Sequence, residues 1–275
     1  MRSILITGSS SGIGHDAAKA LHSEGWRVLA TCRKQSDCDE LVALGMESFV
    51  LDYADPDSVQ AGARKALEMT DGNLEALFNN GAYAAPGLVE DLPRGALREI
   101  FEVNLFGQIE LINCLIPAMR KLDKSYIINN SSVLGFVGMP YRGAYCATKF
   151  AMEGMTDTLR LELAETGIQV VLIEPGPITS RIRQNSVAHF ERWINVDQSA
   201  QAQRYREQLI PRLYDKNELP DRFELPASAV TNKLLRIVNS KNPRPRYYVT
   251  TPTYLSGYAK RLLSTRMFDR FLSLR

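Results

Sequence analysis

Four side chains in the middle of the sequence are of the types that move a proton beside a polarised oxygen: Asn104, Ser132, Tyr145 and Lys149. Tyr145 and Lys149 stand four apart in a run of helical character, YCATKFAMEGMTDTLRLELA. On a helix they share one face, one turn above the other. An ammonium beside a phenol favours the phenolate, so such a tyrosine exchanges its proton below the usual value of about 10. Ser132 lies thirteen residues before Tyr145, at the end of the apolar run SYIINNSS. A strand ending there presents a hydroxyl at the C-terminal edge of a sheet, where open α/β proteins bind ligands. Asn104 is a polar residue inside an apolar helical segment and reads either as a satisfied core amide or as a working group. A Tyr-x-x-x-Lys spacing is common by itself and takes its meaning from the elements around it.

Those elements begin at the N-terminus. The apolar run SILIT at 3–7 is followed by GSSSGIG and then by HDAAKALHSEG, an amphipathic helix closed by Gly25. WRVLATC is a second strand, which completes a βαβ unit of about 30 residues, the context in which a glycine motif signals dinucleotide binding. Gly8 allows the tight turn, while Gly12 and Gly14 let backbone approach a pyrophosphate at the helix N-terminus. The alternation continues with strands ending at Asp52–Tyr53, at Asn79–Asn80, at Ser131–Ser132 and, in IQVVLIEPGPI, at Pro175–Gly176. Helices lie between them, and PRYYVT is a seventh, edge strand. Strictly alternating strands and helices predict a parallel, doubly wound sheet with right-handed crossovers.

The end of the second strand selects the nicotinamide cofactor. An acidic residue there holds the ribose 2′-hydroxyl of NAD, whereas a cation suits the 2′-phosphate of NADP. The sequence reads Ala30-Thr31-Cys32-Arg33-Lys34 and has no carboxylate. Arg33 offers a bidentate contact to phosphate, Lys34 adds charge and Ser10 adds a hydroxyl, so NADP(H) is the expectation.

Five motifs in order make the chain similar to the short-chain dehydrogenases/reductases over about residues 3–180: TGSSSGIG at 7–14, NNGA at 79–82, Asn104, Ser132 with Tyr145-x-x-x-Lys149, and Pro175-Gly176. Within that family it resembles the NADP-dependent 17β-hydroxysteroid and retinol dehydrogenase-like subgroup and bacterial aldehyde reductases of that type. The resemblance implies a Rossmann-type α/β fold of about seven strands, one domain over 1–275, with 181–225 as the substrate loop. It implies catalytic roles for Asn104, Ser132, Tyr145 and Lys149. Tyr145 is then the proton donor, Ser132 positions the carbonyl oxygen, Lys149 holds the nicotinamide ribose, and Asn104 holds a water that relays protons. Cofactor contacts are implied for Gly8, Ser10, Ser11, Gly12, Ile13, Gly14, Arg33 and Lys34, for Asp52 and Tyr53 near the adenine, and for Asn80 and Gly81. Pro175, Gly176, Ile178 and Ser180, with Thr179 as an alternative hydroxyl, complete the set at the carboxamide. The pair Gly81-Ala82 reverses the family's usual Ala-Gly, and Ser180 stands where threonine is frequent.

Composition narrows the rest. A net charge of +2 argues against a nucleic-acid binder, and four cysteines and three histidines without paired spacing suggest neither a disulfide framework nor a metal site. No apolar run of about 18 residues suggests a membrane span, and the chain enters its first strand without a signal pattern, so a cytoplasmic protein is expected. In the 181–225 region, Phe190, Trp193 and Ile194 read as cover for an apolar substrate or as packed helix residues. The segment 252–275 is basic, with Leu262, Leu263, Met267, Phe268, Phe271 and Leu272 at helical spacing. One amphipathic helix is expected there, resting on an anionic membrane surface or packed on the protein. A homo-oligomer, dimer or tetramer, is implied by the resemblance. The expected activity is NADPH-dependent reduction of an apolar aldehyde or ketone. Its rivals are a 3-oxoacyl-thioester reductase and a non-catalytic NADP(H) sensor.

Overall fold

The computed structural model describes residues 1–215 and 221–273. Seven parallel strands form one sheet: β1 (Ser3–Ile6), β2 (Arg27–Cys32), β3 (Glu47–Val50), β4 (Ala76–Asn79), β5 (Ser125–Asn130), β6 (Ile168–Glu174) and β7 (Arg246–Tyr248). Their order is β3-β2-β1-β4-β5-β6-β7. The order reverses between β1 and β4, which opens a crevice at their C-terminal ends. β1, β4 and β5 are buried along their whole length. Both faces of a parallel sheet are covered, so such strands are apolar runs rather than alternating ones.

Strand residues nevertheless segregate with a period of two. Leu5, Leu77, Ile127 and Val170 join one core with α3 (Pro56–Met69), α5 (Gly107–Met119) and α6 (Gly143–Glu162). Ile4, Ile6, Phe78, Ile128 and Ile173 join the opposite core with α1 (Gly12–Ser23), α2 (Gln35–Ala43) and α10 (Ser228–Val238). α4 (Arg94–Phe101) runs through a π-turn at Glu102–Phe106 into α5. Together they make a 26-residue helix that is long and apolar enough to span a membrane. Its Ile100, Leu111, Ile112, Leu115 and Met119 lie in the first core, which accounts for that apolarity without a membrane.

Two expectations change. The region after β6 is helical rather than a loop: α7 (Ile182–Trp193), α8 (Ala202–Arg204), a π-turn at Tyr205–Leu209 and α9 (Ile210–Leu213). These short pieces close a small core of their own around Leu88, Phe190, Ile194, Tyr205, Leu209 and Leu213. The hydroxyl of the fully buried Tyr205 accepts from Leu88 N at 2.8 Å and donates to Asp91 at 2.8 Å. Their periodicity is hard to read because the π-turn at Tyr205–Leu209 shifts the helical register within the run from Ala202 to Leu213. The tail is two helices, α11 (Thr251–Leu262) and α12 (Thr265–Ser273), because Leu263 adopts an extended backbone. Arg275 lies outside the described residues.

Candidate active site

A cavity of about 1310 Å³ runs across the C-terminal ends of the strands. Its floor is the turn from β1 into α1. Gly8 and Gly12 have φ of +66° and +57°, the left-handed region that glycine adopts without strain. A Cβ on Gly8 would stand 2.6 Å from Gly81 Cα, so this close approach requires glycine at 8, and Gly81 in turn faces Tyr53. Ser10, Ser11, Gly12 and Ile13 line the cavity. Ser11 caps α1 without a side-chain bond, and the first turn carries no acid. Its leading N–H groups therefore face the cavity with their partial positive charge uncompensated. Arg33 lines the cavity beyond the end of β2, and Asp52, Tyr53, Asn80 and Gly81 line it from β3 and β4. Pro175, Gly176, Ile178, Thr179 and Ser180 line it after β6.

Of the sequence-predicted cofactor residues, Gly14 and Lys34 lie off the cavity, and Tyr53 lines it with its hydroxyl turned inward. Gly14 does not border the cavity; a Cβ there would meet Gly8 O at 2.3 Å, so it serves the packing of turn against helix. Lys34 is exposed at the start of α2 and lies off the cavity. Tyr53 is buried, with its hydroxyl 2.6 Å from Asn79 Oδ1 and 2.8 Å from Thr7 Oγ1, turned into the protein. Asn80 ties the crevice together, donating from its amide to Thr7 O at 3.0 Å and accepting from Asn130 Nδ2 at 2.9 Å.

Ser132, Tyr145 and Lys149 meet on the wall between β5 and α6, and all three line the cavity. Lys149 is buried at 1% exposure and donates from Nζ to Asn130 O at 2.7 Å. Burial holds its pKa down to about 8 against the pull of Glu153 one turn further on. Burial pushes the Tyr145 phenol up to about 12, opposed by the Ser132 hydroxyl and the Arg142 cation. The Lys149 ammonium is bonded to Asn130 O and lies over the Tyr145 ring, 5.7 Å from its centre. The cation that opposes the rise is Arg142. Ser132 Oγ accepts from Leu134 N at 3.1 Å, which fixes the hydroxyl beside the phenol.

Asn104 sits within the π-turn, fully buried and off the cavity. Its amide accepts from Tyr83 N at 3.1 Å and donates to Tyr83 O at 2.9 Å and to Thr148 Oγ1 at 3.3 Å, which fixes the side chain between the cavity wall and α6. It braces the segment that carries Tyr83 across the cavity. Phe190 and Ile194 belong to the small third core, and Trp193 packs on Gly95; none of them lines the cavity. The bland reading of those aromatics is the correct one.

The sequence reading missed two groups. Tyr83 and His189 stack at 3.9 Å and both line the cavity, with His189 3.2 Å from Glu99. Burial lowers the His189 pKa. Arg142, three residues before Tyr145, also lines the cavity; its place in the sequence beside Tyr145 was the available signal.

Comparison with known proteins agrees with the fold and the motifs. The family model for short chain dehydrogenase matches residues 2–190. The chain is 36% identical to the uncharacterized oxidoreductase YbbO of Escherichia coli over 271 residues, 98% of this chain and 94% of that protein. It is 31% identical to human retinol dehydrogenase 8 over 204 residues, 69% of this chain and 64% of that protein. A short chain dehydrogenase/reductase from Burkholderia phymatum, solved in complex with NAD, superposes with a TM-score of 0.76 at 25% identity, covering 99% of this chain and 95% of that one. A short chain dehydrogenase from Burkholderia cenocepacia in complex with NADP gives 0.77 at 21% identity, covering 99% of both chains, a likeness of fold. The family match across most of the chain and full-length identity to an oxidoreductase, on a seven-stranded parallel sheet carrying the expected motifs, establish that this chain belongs to the short-chain dehydrogenases/reductases and is a nicotinamide-dependent oxidoreductase of that family.

Proposed function

We propose that this oxidoreductase uses NADPH to reduce an apolar aldehyde or ketone to the alcohol, with Tyr145 as proton donor. The observation that carries the reading is that Ser132, Tyr145 and Lys149 line the same cavity as the glycine turn and Arg33. The residues present fit the cofactor. The uncapped N-terminus of α1 suits a pyrophosphate, and Arg33, with no carboxylate at the end of β2, suits a 2′-phosphate. Ile178 with Ser180 or Thr179 is assigned to the carboxamide end. When bound, the cofactor supplies the hydride.

The chain's own groups do the rest. Ser132 Oγ, oriented by Leu134 N, donates to the substrate carbonyl oxygen and positions it. Tyr145 passes its phenolic proton to that oxygen. Lys149, anchored on Asn130 O, sets positive charge below the phenol as the proton leaves. Asn104 acts through the Tyr83 backbone as a positioning residue. Leu134, Met139, Ile182 and Phe223 offer apolar wall to the substrate.

The proposal keeps the protein in the cytoplasm, at times at a membrane surface. α11 and α12 expose Leu255, Tyr258, Leu262 and Met267 beside Lys260, Arg261, Arg266 and Arg270, while Leu255 and Phe271 reach the cavity rim. Co-sedimentation with anionic vesicles tests this contact, and no binding at low salt rejects it. Exposed Phe106, Met155 and Leu161 on the α5 and α6 side fit a homo-oligomer, which light scattering reads directly.

The deciding experiment follows NADPH and NADH consumption with medium- and long-chain aldehydes, retinal, steroid ketones and a 3-oxoacyl thioester. NADPH-specific loss with an apolar aldehyde or ketone is expected. Activity on the thioester alone replaces this reading with that of a thioester reductase. NADPH binding without turnover on any carbonyl replaces it with that of a sensor.

A further inference from the structure

Arg142 stands immediately before the first turn of α6, three residues from Tyr145, and its side chain is half-buried in the cavity wall. Among the described residues it makes no ion pair. Arg183 from α7 and Arg212 from α9 line the same cavity and press on it electrostatically. Among the described residues, Asp221 is divided between them: 3.4 Å from Arg183 and 2.7 Å from Arg212. Glu224 is engaged as well, accepting from Thr179 Oγ1 at 2.7 Å and from Asp221 N at 2.9 Å.

Three guanidiniums from three parts of the chain therefore line one cavity, near enough for Arg183 and Arg212 to act on Arg142, and among the described residues Asp221 pairs with the other two and not with Arg142. Burial and the charges of Arg212 and Arg183 both disfavour the Arg142 cation, lowering its pKa. Folding tolerates an unpaired buried cation poorly, because desolvation is repaid only when a counter-charge arrives. Helping Tyr145 ionise needs one nearby cation and explains neither Arg183 nor Arg212. Guanidinium groups match the planar or tetrahedral oxygens of carboxylate and phosphate, and bind them by paired hydrogen bonds.

We propose that the substrate carries an anionic group, a phosphate or a carboxylate, within a few bonds of its carbonyl, and that Arg142, with Arg183 and Arg212, is the subsite that receives it. The inference rests on the carbonyl-reductase reading above and narrows it: the substrate is an amphipathic carbonyl compound with an apolar body and a charged end near the reacting carbon. The short reach follows from the closeness of Arg142 to Tyr145. Arg142 and Tyr145 are three residues apart, line the same cavity and act on each other electrostatically, so an anion on Arg142 lies close to a carbonyl on Tyr145.

The test uses the full chain and three ketones of equal chain length. One is a long-chain methyl ketone, one a keto acid with its carboxylate two carbons from the carbonyl, and one the matching 2-oxoalkyl phosphate. At least a tenfold higher kcat/KM for one of the charged ketones is expected, and the better of the two identifies the anion. Arg142→Gln is expected to remove most of that preference, with Arg142→Lys retaining part of it. Equal kcat/KM for all three, or a preference that Arg142→Gln leaves intact, overturns the subsite while leaving the carbonyl reading in place. A variant that slows all three ketones by the same factor and shifts the pH profile makes Arg142 a partner of Tyr145 instead, and also overturns it. A binding measurement separates the two readings. Titration calorimetry with dodecyl phosphate and dodecanol on wild type and Arg142→Gln needs no turnover. Phosphate affinity at least tenfold above that of the alcohol, lost in the variant, supports the subsite even where no ketone is reduced; equal affinities reject it.

Discussion

Lys149 Nζ and Asn130 O are joined by a 2.7 Å hydrogen bond inside the protein. The bond ties α6 to the last residue of β5, and Asn130 Nδ2 carries the link on to Asn80 at 2.9 Å. A charged group thus holds the wall of the cavity at the point where the strands end.

That placement has a thermodynamic sign. Burial holds the Lys149 pKa near 8, below its unfolded value of about 10.5, so the unfolded state binds the extra proton between those values. Stability from this group rises with pH across that window, and at pH 7 the buried ammonium is a net burden. Lys149→Met is expected to lose activity yet gain roughly 1–3 kcal/mol of stability at pH 7, less whatever the orphaned Asn130 carbonyl costs. Chemical denaturation of both proteins from pH 7 to 10.5 checks this. The advantage of the variant must shrink as pH rises.

Tyr145 is driven the opposite way, up to about 12. In reduction it stays protonated, while Lys149 loses its charge near pH 8, so turnover is expected to be level below about pH 7 and to fall as pH rises through 8. In oxidation the phenolate is needed, and the rate is expected to climb with pH. Tyr145→Phe is expected to lower kcat by about 10²–10⁴ with NADPH binding unchanged, as measured by fluorescence titration. Ser132→Ala removes a group that opposes the rise and shifts the oxidative limb to higher pH.

Arg33 and Lys34 separate cleanly. Arg33 lines the cavity and Lys34 does not. Arg33→Ser is expected to raise the KM for NADPH by roughly 10–100-fold with little change for NADH, the loss of a charge-assisted contact. Lys34→Ser is expected to change either KM by less than about threefold. Steady-state kinetics with both cofactors decides it.

Two glycines in helices respond oppositely to alanine. At Gly14 the new Cβ meets Gly8 O at 2.3 Å, and at Gly154 it meets nothing within 4 Å. Gly14→Ala is expected to destabilise by roughly 1–3 kcal/mol, and Gly154→Ala, exposed within α6, to stabilise by about 0.5–1 kcal/mol. Thermal unfolding of the two single variants reads both signs.

The alternation of strands and helices was legible because each strand is an unbroken apolar run and each helix has an apolar stripe, signals that local sequence carries. The glycine turn, Ser132 and the Tyr145–Lys149 spacing were legible for the same reason: neighbours along the chain set them. Tertiary structure alone decided the rest. Only packing shows that Gly14 lies against Gly8 O, that the Asn104 amide bonds the Tyr83 backbone and Thr148, and that Lys149 turns to Asn130. Burial, which no linear pattern states, sets the proton affinities of Tyr145 and Lys149 in opposite directions. Arg142, Arg183 and Arg212, up to seventy positions apart, line one cavity only because the fold brings α6, α7 and α9 to it.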